Sequence, residues 1–294
     1  MRNNRTTIGI FLALFTAFAF GAYPAASQVV YKDGGNTIFI MMLTTWVRAL
    51  FLTGLSFTSK EKLFSSKANI RTGLAGGFFQ ALSVAGIFAA LHYLPGPLVI
   101  IIIFTHTLML LFFMAWRREI KLDFTTIITA ICALIGLAFV LDIWHQKEVS
   151  NWVGIGFAFA AAIATMSRLY VYGQQTKARN PAIVGAESFL CAAMFVMLGM
   201  FVQAPTLPAS FSGYLWAAIA CASLGIGTCT MFYCIARIGS FNYSMINKLE
   251  PVFTALFSFL LIGEVLNWTQ YLGIGLVTTS LLLYQYMSYK KNNA

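Results

Sequence analysis

The chain has 294 residues, of which 10% are charged and 59% are hydrophobic. A soluble domain carries about 25% charged residues, and it has no place to hide so much apolar side chain. The composition excludes a soluble enzyme and a disordered chain. The formal net charge is +10, but the basic residues recur in short clusters between apolar runs, which is not the pattern of a nucleic-acid-binding face.

Ten apolar stretches follow one another along the chain, and each is long enough to cross a bilayer as a helix. They run over 8–28, 36–56, 72–92, 95–115, 124–142, 152–173, 182–203, 212–236, 242–262 and 268–288. Short segments with turn or charged residues separate them, and the runs show no alternation of the kind that marks β-barrel strands. The sequence therefore predicts an all-α polytopic membrane protein with ten transmembrane helices.

The basic residues between these stretches predict the orientation. If the N-terminus is cytoplasmic, fourteen Lys and Arg residues fall in cytoplasmic segments and only Lys32 and Lys147 fall in outside loops. Cytoplasmic loops of membrane proteins carry such an excess of Lys and Arg. We therefore expect both termini in the cytoplasm.

An internal duplication is visible when the chain is shifted by 145 residues. The shift matches Gly9 with Gly154, Leu111 with Leu256, and Glu119 with Glu264. Since each half holds five spans, the halves would insert with opposite orientation. The sequence thus predicts two inverted five-helix repeats, residues 1–146 and 147–294, an organisation typical of secondary transporters.

Motifs of the second half carry a resemblance to a known family. They are Tyr233 and Ala236, then Leu249-Glu250-Pro251-Val252, Gly263-Glu264 and Gly273. Gly21, Arg48 and Glu119 fit more loosely in the first half, where Thr105-His106 stands in place of Glu250-Pro251. The chain resembles the drug/metabolite transporter superfamily, in particular its EamA family of bacterial permeases.

The resemblance implies a secondary transporter of small organic molecules, often an exporter, in the bacterial inner membrane. It implies a central cavity between two helix bundles, with the fifth and tenth spans at the periphery. It identifies Pro251, Glu119 and Glu264 as structural motif residues. Neither an enzymatic activity nor a cofactor is expected, and the partners would be a small substrate, membrane lipid and a proton.

Five ionisable residues lie within the predicted spans, where a charge at the bilayer centre costs about 2.5–3.5 kcal/mol. Arg48 is the deepest, and its planar donor fork suits a carboxylate or a phosphate. The alternative role for Arg48 is a structural ion pair or a cap for helix carbonyls. Lys248 and Glu250 point about 200° apart on a helix, so we expect one to face the cavity and the other a neighbouring helix.

Two polar residues are candidates for proton coupling, Glu250 and His106. Glu250 precedes Pro251, which removes a backbone donor and favours an irregular helix at this point. The alternative is that Glu250 is a structural anchor of the kink. His106 takes the place of Pro251 in the first repeat, and imidazole is the side chain that titrates closest to neutral pH. The alternative for His106 is a satisfied polar group within the bundle.

The other two ionisable residues are interpreted as structural. Arg168 lies toward the cytoplasmic end of its span and can extend its charged group to the surface. Glu187 lies about one turn into the seventh span, within reach of Arg168 or Lys177. The three histidines are far apart in the predicted topology, so no metal site is expected.

Four aromatic residues lie deep in spans that we expect to line the cavity, and they could grip the apolar part of a substrate. They are Tyr23, Trp46, Phe79 and Tyr233.

The sequence favours a transporter of an amino acid or another zwitterionic or anionic metabolite, with Arg48 and Lys248 on the anionic group. The alternatives are an exporter of lipophilic cations and drugs, or a permease for vitamins or nucleobases. A channel or a passive scramblase fits least well. Either a monomer or a homodimer is compatible with the sequence.

Overall fold

A computed structural model describes residues 2–120, 122–145, 151–262 and 267–293 of the chain. Within these ranges the chain forms eleven α-helices, three short 3-10 helices and no β-strand. The α-helices are α1 (Arg2–Lys32), α2 (Thr37–Ser56), α3 (Lys67–Leu91), α4 (Gly96–Phe104), α5 (His106–Trp116), α6 (Phe124–Val140), α7 (Trp152–Gln175), α8 (Pro181–Met197), α9 (Phe211–Ile246), α10 (Glu250–Ile262) and α11 (Trp268–Asn293). The all-α fold class predicted from the sequence is confirmed.

Seven helical stretches of the described chain are long and apolar enough to cross a membrane. They are Arg5–Lys32, Thr37–Ser56, Lys67–Leu91, Gly96–Trp116, Trp152–Gln175, Pro181–Phe201 and Phe211–Leu260. The last has 50 residues, and at 1.5 Å per residue it would span about 75 Å, more than twice the hydrocarbon thickness. It contains both the eighth and the ninth predicted span. The count of ten spans stays a prediction.

A break at Gly239 divides this long stretch. Gly239 has φ 82° and ψ 160°, a backbone conformation that side chains with a Cβ rarely adopt. The chain turns there between two helical segments, at the point where the sequence separates the stretches 212–236 and 242–262.

Polar residues at the helix starts satisfy the free backbone N–H groups, as expected for N-caps. The side chains that accept these hydrogen bonds belong to Asn36, Ser66, Asn151, Asn180 and Ser210. Because the caps lie between apolar runs, they explain why the helices begin where the sequence predicts loops to end.

The packing of the helices is the same when the two halves of the chain are exchanged. Helix α1 packs on α9 and α10, and α7 packs in the same way on α3 and on α4 and α5. Helix α2 packs on its counterpart α8, and α6 packs on its counterpart α11. This exchange pairs the first five predicted spans with the last five.

Helices α6 and α11 approach each other closely at two glycines. A Cβ on Gly136 would lie 2.9 Å from the backbone nitrogen of Val277, and a Cβ on Gly273 would lie 2.7 Å from the Gly136 carbonyl oxygen. Small residues allow such backbone contact between membrane helices. Larger side chains at these two positions would push the helices apart.

Two loops contact each other at the end of the bundle where α1 begins, and we call this contact the proximal clasp. Arg179 Nε donates to Glu61 Oε1 at 2.5 Å, and its two terminal nitrogens donate to Glu187 at 2.7 and 2.8 Å. The backbone N–H of Asn180 donates to Glu61, and the backbone N–H of Phe64 donates to Glu187. The loop before α3 is thus bound to the loop before α8.

The equivalent loops meet at the other end of the bundle, and we call this contact the distal clasp. The hydroxyl of Thr206 donates to the Gly34 carbonyl at 3.0 Å, and the Asn36 amide donates to the Ala204 carbonyl at 2.8 Å. The backbone N–H of Ser210 donates to the Asp33 carboxylate. A shift of 145 residues maps Gly34 onto Arg179 and Glu61 onto Thr206, so the two clasps occupy matching positions.

Candidate functional site

Two irregular helices meet at the centre of the bundle. In the first half, Thr105 interrupts the chain between α4 and α5, and His106 begins α5. In the second half, a 3-10 turn over Asn247–Leu249 precedes Glu250 and Pro251 at the start of α10. The irregular ninth span predicted at Glu250-Pro251 is therefore present. Both irregularities are mild, because the backbones of Thr105 and Asn247 keep helical angles.

A cavity of about 250 Å³ lies beside these breaks, and we call it the central cavity. Its polar lining residues come from both halves of the chain. They are Tyr23, Thr44, Arg48, Gln80, His106, Thr165, Arg168, Thr228, Tyr243, Asn247 and Glu250. Apolar groups, among them Phe20, Phe88 and Phe189, complete the wall.

A second cavity of about 400 Å³ lies next to the central cavity, and we call it the distal cavity. Both are lined by His106, Thr165, Arg168, Asn247 and Glu250. The distal cavity continues past Pro97, Leu141 and Gln270, which lie toward the end of the bundle that carries the distal clasp. The distal cavity therefore lies between the central cavity and that end of the bundle.

A third cavity of about 700 Å³, the proximal cavity, lies at the end where α1 begins. Glu119, Lys177, Gly239, Asn242 and Tyr284 are among its lining residues. It shares no lining residue with the central cavity. By their lining residues, the central cavity is adjacent to the distal cavity and separate from the proximal one.

Arg48 faces the central cavity without a carboxylate partner among the side chains that the structure describes. Its Nε donates to the Thr44 carbonyl at 3.0 Å, and Nη2 donates to the Thr45 hydroxyl at 3.3 Å. The guanidinium lies over the Phe189 ring, 4.8 Å from the centroid. No ion pair of Arg48 occurs among the described contacts, whereas its bond to the Thr44 carbonyl fits the alternative role of a cap for helix carbonyls. These contacts use Nε and Nη2 and leave Nη1 for a ligand.

Arg168 also lines the central cavity, which corrects the expectation that it extends to the cytoplasmic surface. Its Nε is buried and has no hydrogen-bond partner in the described chain. Helix α7 continues to Gln175, so Arg168 lies almost two turns before the end of the helix. From that depth the side chain turns into the cavity, beside Thr165 and Glu250.

Glu250 lines the cavity and Lys248 does not, so the prediction that the two point apart is confirmed. Glu250 accepts a hydrogen bond of 2.7 Å from the Asn247 side chain, which also accepts from the Tyr243 hydroxyl at 3.1 Å. Lys248 is fully buried, and its Nζ donates to the Ala130 carbonyl of α6 at 3.2 Å. The expected contact of Lys248 with the substrate is wrong for this structure, because its amine faces away from the cavity.

His106 lies in the wall between the central and distal cavities, with a partner for each ring nitrogen. Its Nδ1 donates to the Ile103 carbonyl at 2.8 Å, and Nε2 is 3.0 Å from the Ser244 hydroxyl. That hydroxyl lies 2.8 Å from the hydroxyl of Thr107. These contacts favour the interpretation of His106 as a satisfied polar group.

Of the four predicted aromatic residues, only Tyr23 lines the central cavity. Trp46 packs against the main hydrophobic core, and the Phe79 ring contacts Phe78 with centroids 5.6 Å apart. The ring of Tyr233 lies under the Arg237 guanidinium at 5.8 Å. The structure places Trp46, Phe79 and Tyr233 outside the central and distal cavities, and it brings Phe189 into the place expected of an aromatic partner.

The predicted structural residues tie helices together at the proximal end. Glu187 binds Arg179 rather than Arg168 or Lys177, which corrects the expected partner. Glu119 accepts hydrogen bonds of 2.6 Å from both Tyr170 and Gln174, and it forms a 3.5 Å ion pair with Lys177. Its repeat counterpart Glu264 lies outside the described residues, as does the boundary between residues 146 and 147.

Arg179 and Glu119 lie outside the spans, and their surroundings shift the two pKa values in opposite directions. The hydrogen bonds with Glu187, and then those with Glu61, raise the pKa of the Arg179 guanidinium above its usual value. Burial acts to raise the pKa of Glu119, but hydrogen bonds from Tyr170 and Gln174 and the charge of Lys177 outweigh it. The net result is a lowered pKa for Glu119. Both groups therefore stay charged at neutral pH.

Several neutral polar residues of the central cavity were not found from the sequence, among them Gln80, Thr228 and Asn247. Gln80 and Thr228 are buried, and the side-chain oxygen of each has no partner in the described chain. A search for every strongly polar side chain within the apolar runs, rather than for ionisable groups alone, would have found Gln80. No group of three potential metal ligands occurs among the described residues.

Comparisons with known proteins agree with this architecture. The model of the EamA-like transporter family matches residues 7–142 and again 152–286. No curated protein matches the chain. Among solved structures, one described as "Crystal structure of protein" aligns with a TM-score of 0.78 and 16% sequence identity, over 96% of this chain and 98% of that one. At this identity the likeness shows the fold alone.

Proposed function

The chain belongs to the EamA-like transporter family, and from that premise we propose that this integral membrane transporter carries a compact zwitterionic or anionic metabolite. The observation that supports the substrate class is the pair of guanidinium groups, Arg48 and Arg168, in one cavity with a single carboxylate, Glu250. A desolvated guanidinium without an anionic partner is costly. A substrate carboxylate would supply the missing charge, and Glu250 would face the cationic or donor end of a zwitterion.

We propose that the two halves, residues 1–146 and 147–294, are inverted repeats that rock about this site. The exchangeable helix packing and the matching clasps support that organisation, which is the usual basis of alternating access. The central cavity shares lining residues with the distal cavity and none with the proximal cavity, which supports a state whose access lies toward the distal end. The opposite state would require the proximal clasp to loosen.

The excess of basic residues between the spans supports an orientation with both termini in the cytoplasm. The distal end would then face the exterior of the bacterial inner membrane. Fusions of green fluorescent protein and alkaline phosphatase to the C-terminus test this. Fluorescence with no phosphatase activity is expected, and the reverse result would contradict the orientation.

Counterflow in proteoliposomes tests the substrate class. Proteoliposomes that contain the purified protein are loaded with unlabelled amino acids and organic acids. Entry of the labelled compound is then measured for wild type, Arg48→Gln and Arg168→Gln. Loss of a charge-assisted hydrogen bond should raise KM by about ten-fold or more. Arg237→Gln is the matched control, because Arg237 binds the Tyr233 carbonyl outside the cavity.

The outcomes separate the candidate functions. Saturable counterflow that both arginine variants weaken would support the proposal. An unchanged KM in both variants would remove the anion-binding role. Saturable exchange of lipophilic cations alone would identify a drug exporter, and flux without saturation or counterflow would identify a channel.

We propose that Glu250 couples transport to a proton, since it is the carboxyl group that lines both the central and the distal cavity. Glu250→Gln should retain counterflow but lose accumulation driven by a proton gradient. Glu119→Gln, a carboxylate outside the central cavity, should retain both. Equal wild-type transport with and without the gradient would contradict coupling.

A further inference from the structure

The unpartnered buried polar atoms of the described chain are concentrated in one place. They are Ser27 Oγ, Gln80 Oε1, Arg168 Nε and Thr228 Oγ1. Three of the four residues line the central cavity, and Ser27 follows Tyr23 of the same wall by one helical turn. More than 90% of buried polar groups in proteins have a hydrogen-bond partner. Their clustering therefore marks this cavity as a place where a ligand supplies the partners.

The three cavity atoms differ in what they require. Arg168 Nε–H is a donor and needs an acceptor, whereas Gln80 Oε1 is an acceptor and needs a donor. The Thr228 hydroxyl serves in either role. They reach the cavity from three helices, α7, α3 and α9, so a single ligand must satisfy them from different sides.

The size of the central cavity limits the ligand. Its volume of about 250 Å³ is below the range of about 300–1,000 Å³ that is typical of pockets for drug-sized molecules. A compact ligand in this space lies within reach of opposite walls. The acceptor for Arg168 and the donor for Gln80 must therefore be close together in the ligand.

We propose that Gln80 and Thr228 select the substrate by binding a donor group that it carries next to its carboxylate, as in an α-amino acid or an α-hydroxy acid. Arg168, with Arg48 beside Phe189, binds the carboxylate. A plain carboxylic acid leaves Gln80 Oε1 unpaired, and an amine supplies no carboxylate to either guanidinium group. This inference rests on the proposed transport function and adds the residues that bind the donor group of the substrate.

Matched compounds test the inference. Alanine, leucine and phenylalanine are each compared with the hydroxy acid, the plain acid and the amine of the same skeleton. Binding is followed by thermal unfolding of the purified protein, and transport by competition in proteoliposomes. In wild type the amino or hydroxy acid of the preferred skeleton should compete at least about ten-fold better than the plain acid, since the plain acid leaves a buried acceptor unpaired.

Variants of the two selecting residues give the decisive comparison. In Gln80→Leu the advantage over the plain acid should fall to less than about three-fold, while the requirement for a carboxylate remains. Thr228→Val, which keeps the shape of the side chain, serves if Gln80→Leu does not fold, and it should reduce the same ratio. Thr176→Val is the matched control, because the buried Thr176 lies outside all three cavities and already donates to the Tyr172 carbonyl at 2.8 Å.

The ligand-free protein gives a second readout. Removal of an unpaired buried acceptor should raise the melting temperature of Gln80→Leu by about 2–4 °C. An unchanged ratio in both Gln80→Leu and Thr228→Val, with wild type still transporting carboxylates, would overturn this inference and leave the proposed function intact. Failure of wild type to bind or exchange any carboxylate of the panel would overturn the proposed substrate class itself.

Discussion

The two clasps occupy matching positions at opposite ends of the bundle but use different chemistry. The proximal clasp places the Arg179 guanidinium between the carboxylates of Glu61 and Glu187. The distal clasp consists of hydrogen bonds from the Thr206 hydroxyl and the Asn36 amide to backbone carbonyls, and of one from the Ser210 N–H to the Asp33 carboxylate. The proximal contact depends on a single guanidinium, whereas the distal contact is divided among several separate hydrogen bonds and contains no ion pair among the described residues. A single substitution should therefore open the proximal end far more easily than the distal end.

The largest effect is expected from Arg179→Gln. The Glu187 side chain is only 1% exposed, and removal of its cation leaves a buried charge, which costs about 3–5 kcal/mol. Thermal and denaturant unfolding in detergent would measure this loss. Arg179→Lys keeps the positive charge but not the planar guanidinium, so it should lose less stability than Arg179→Gln. A loss below about 1 kcal/mol in Arg179→Gln would show that the proximal clasp carries little stability.

Replacement of the whole charged cluster sharpens this prediction. In the triple variant Glu61→Gln, Arg179→Met, Glu187→Leu, no charge remains buried, so stability should recover most of what Arg179→Gln loses. If the triple variant is as unstable as Arg179→Gln, loop geometry rather than the unpaired charge causes the loss.

A smaller effect is expected from Asn36→Ala in the distal clasp. Asn36 caps α2 by accepting from the Phe39 N–H at 2.9 Å, and it also donates to Ala204. Loss of the cap and of one neutral hydrogen bond should cost about 1–2 kcal/mol. The same unfolding measurement applies, with Asn180→Ala as the matched cap variant at the proximal end. A larger loss of stability in Asn36→Ala than in Arg179→Gln would mean that the distal clasp contributes more stability than the proximal clasp.

The pH dependence of the proximal end should follow Glu119. Its pKa is lowered in the folded protein from 4.5, so its stabilising contribution is present above that value and is lost as the pH falls through the folded pKa. The difference in melting temperature between wild type and Glu119→Gln should be constant from pH 7 to about pH 5 and should shrink below about pH 4.5. A difference that grows on acidification would contradict the assigned sign.

The smallest effect is expected from Lys177→Ala. The Lys177 side chain is 62% exposed and pairs with Glu119 at 3.5 Å. Exposed ion pairs contribute about 0–1 kcal/mol and are screened by salt. Unfolding at low and high salt should therefore show little change. A loss comparable to that of Arg179→Gln would mean that exposure does not separate these two ion pairs.

The sequence predicted the helical architecture because apolar length and charged breaks are properties of single helices. Arg48 and Glu250 line the central cavity, which fits the rule that a charge within hydrocarbon avoids lipid. The sequence did not decide whether Glu250 or Lys248 would face it. Trp46, Phe79 and Tyr233 were misplaced because their helices are apolar on all sides, so no periodicity distinguishes the face toward the cavity from the face toward lipid.

The other errors concern contacts between distant segments. Arg168 was assigned to the surface from its position in the span alone, and only the assembled bundle shows that its side chain turns inward. Glu187 has three cations nearby in the sequence, and the conformation of the loop before α8 selects Arg179. Gln80 and Thr228 carry no charge, and only the cavity that joins α3 to α9 makes their lack of a partner visible.

The glycine contact between α6 and α11 has a mechanical consequence. Because α6 and α11 approach each other so closely at Gly136 and Gly273, a larger side chain at either position would separate them. Under the proposed rocking mechanism, this contact would serve as a pivot between the two halves, and the helices around the central cavity would carry the motion.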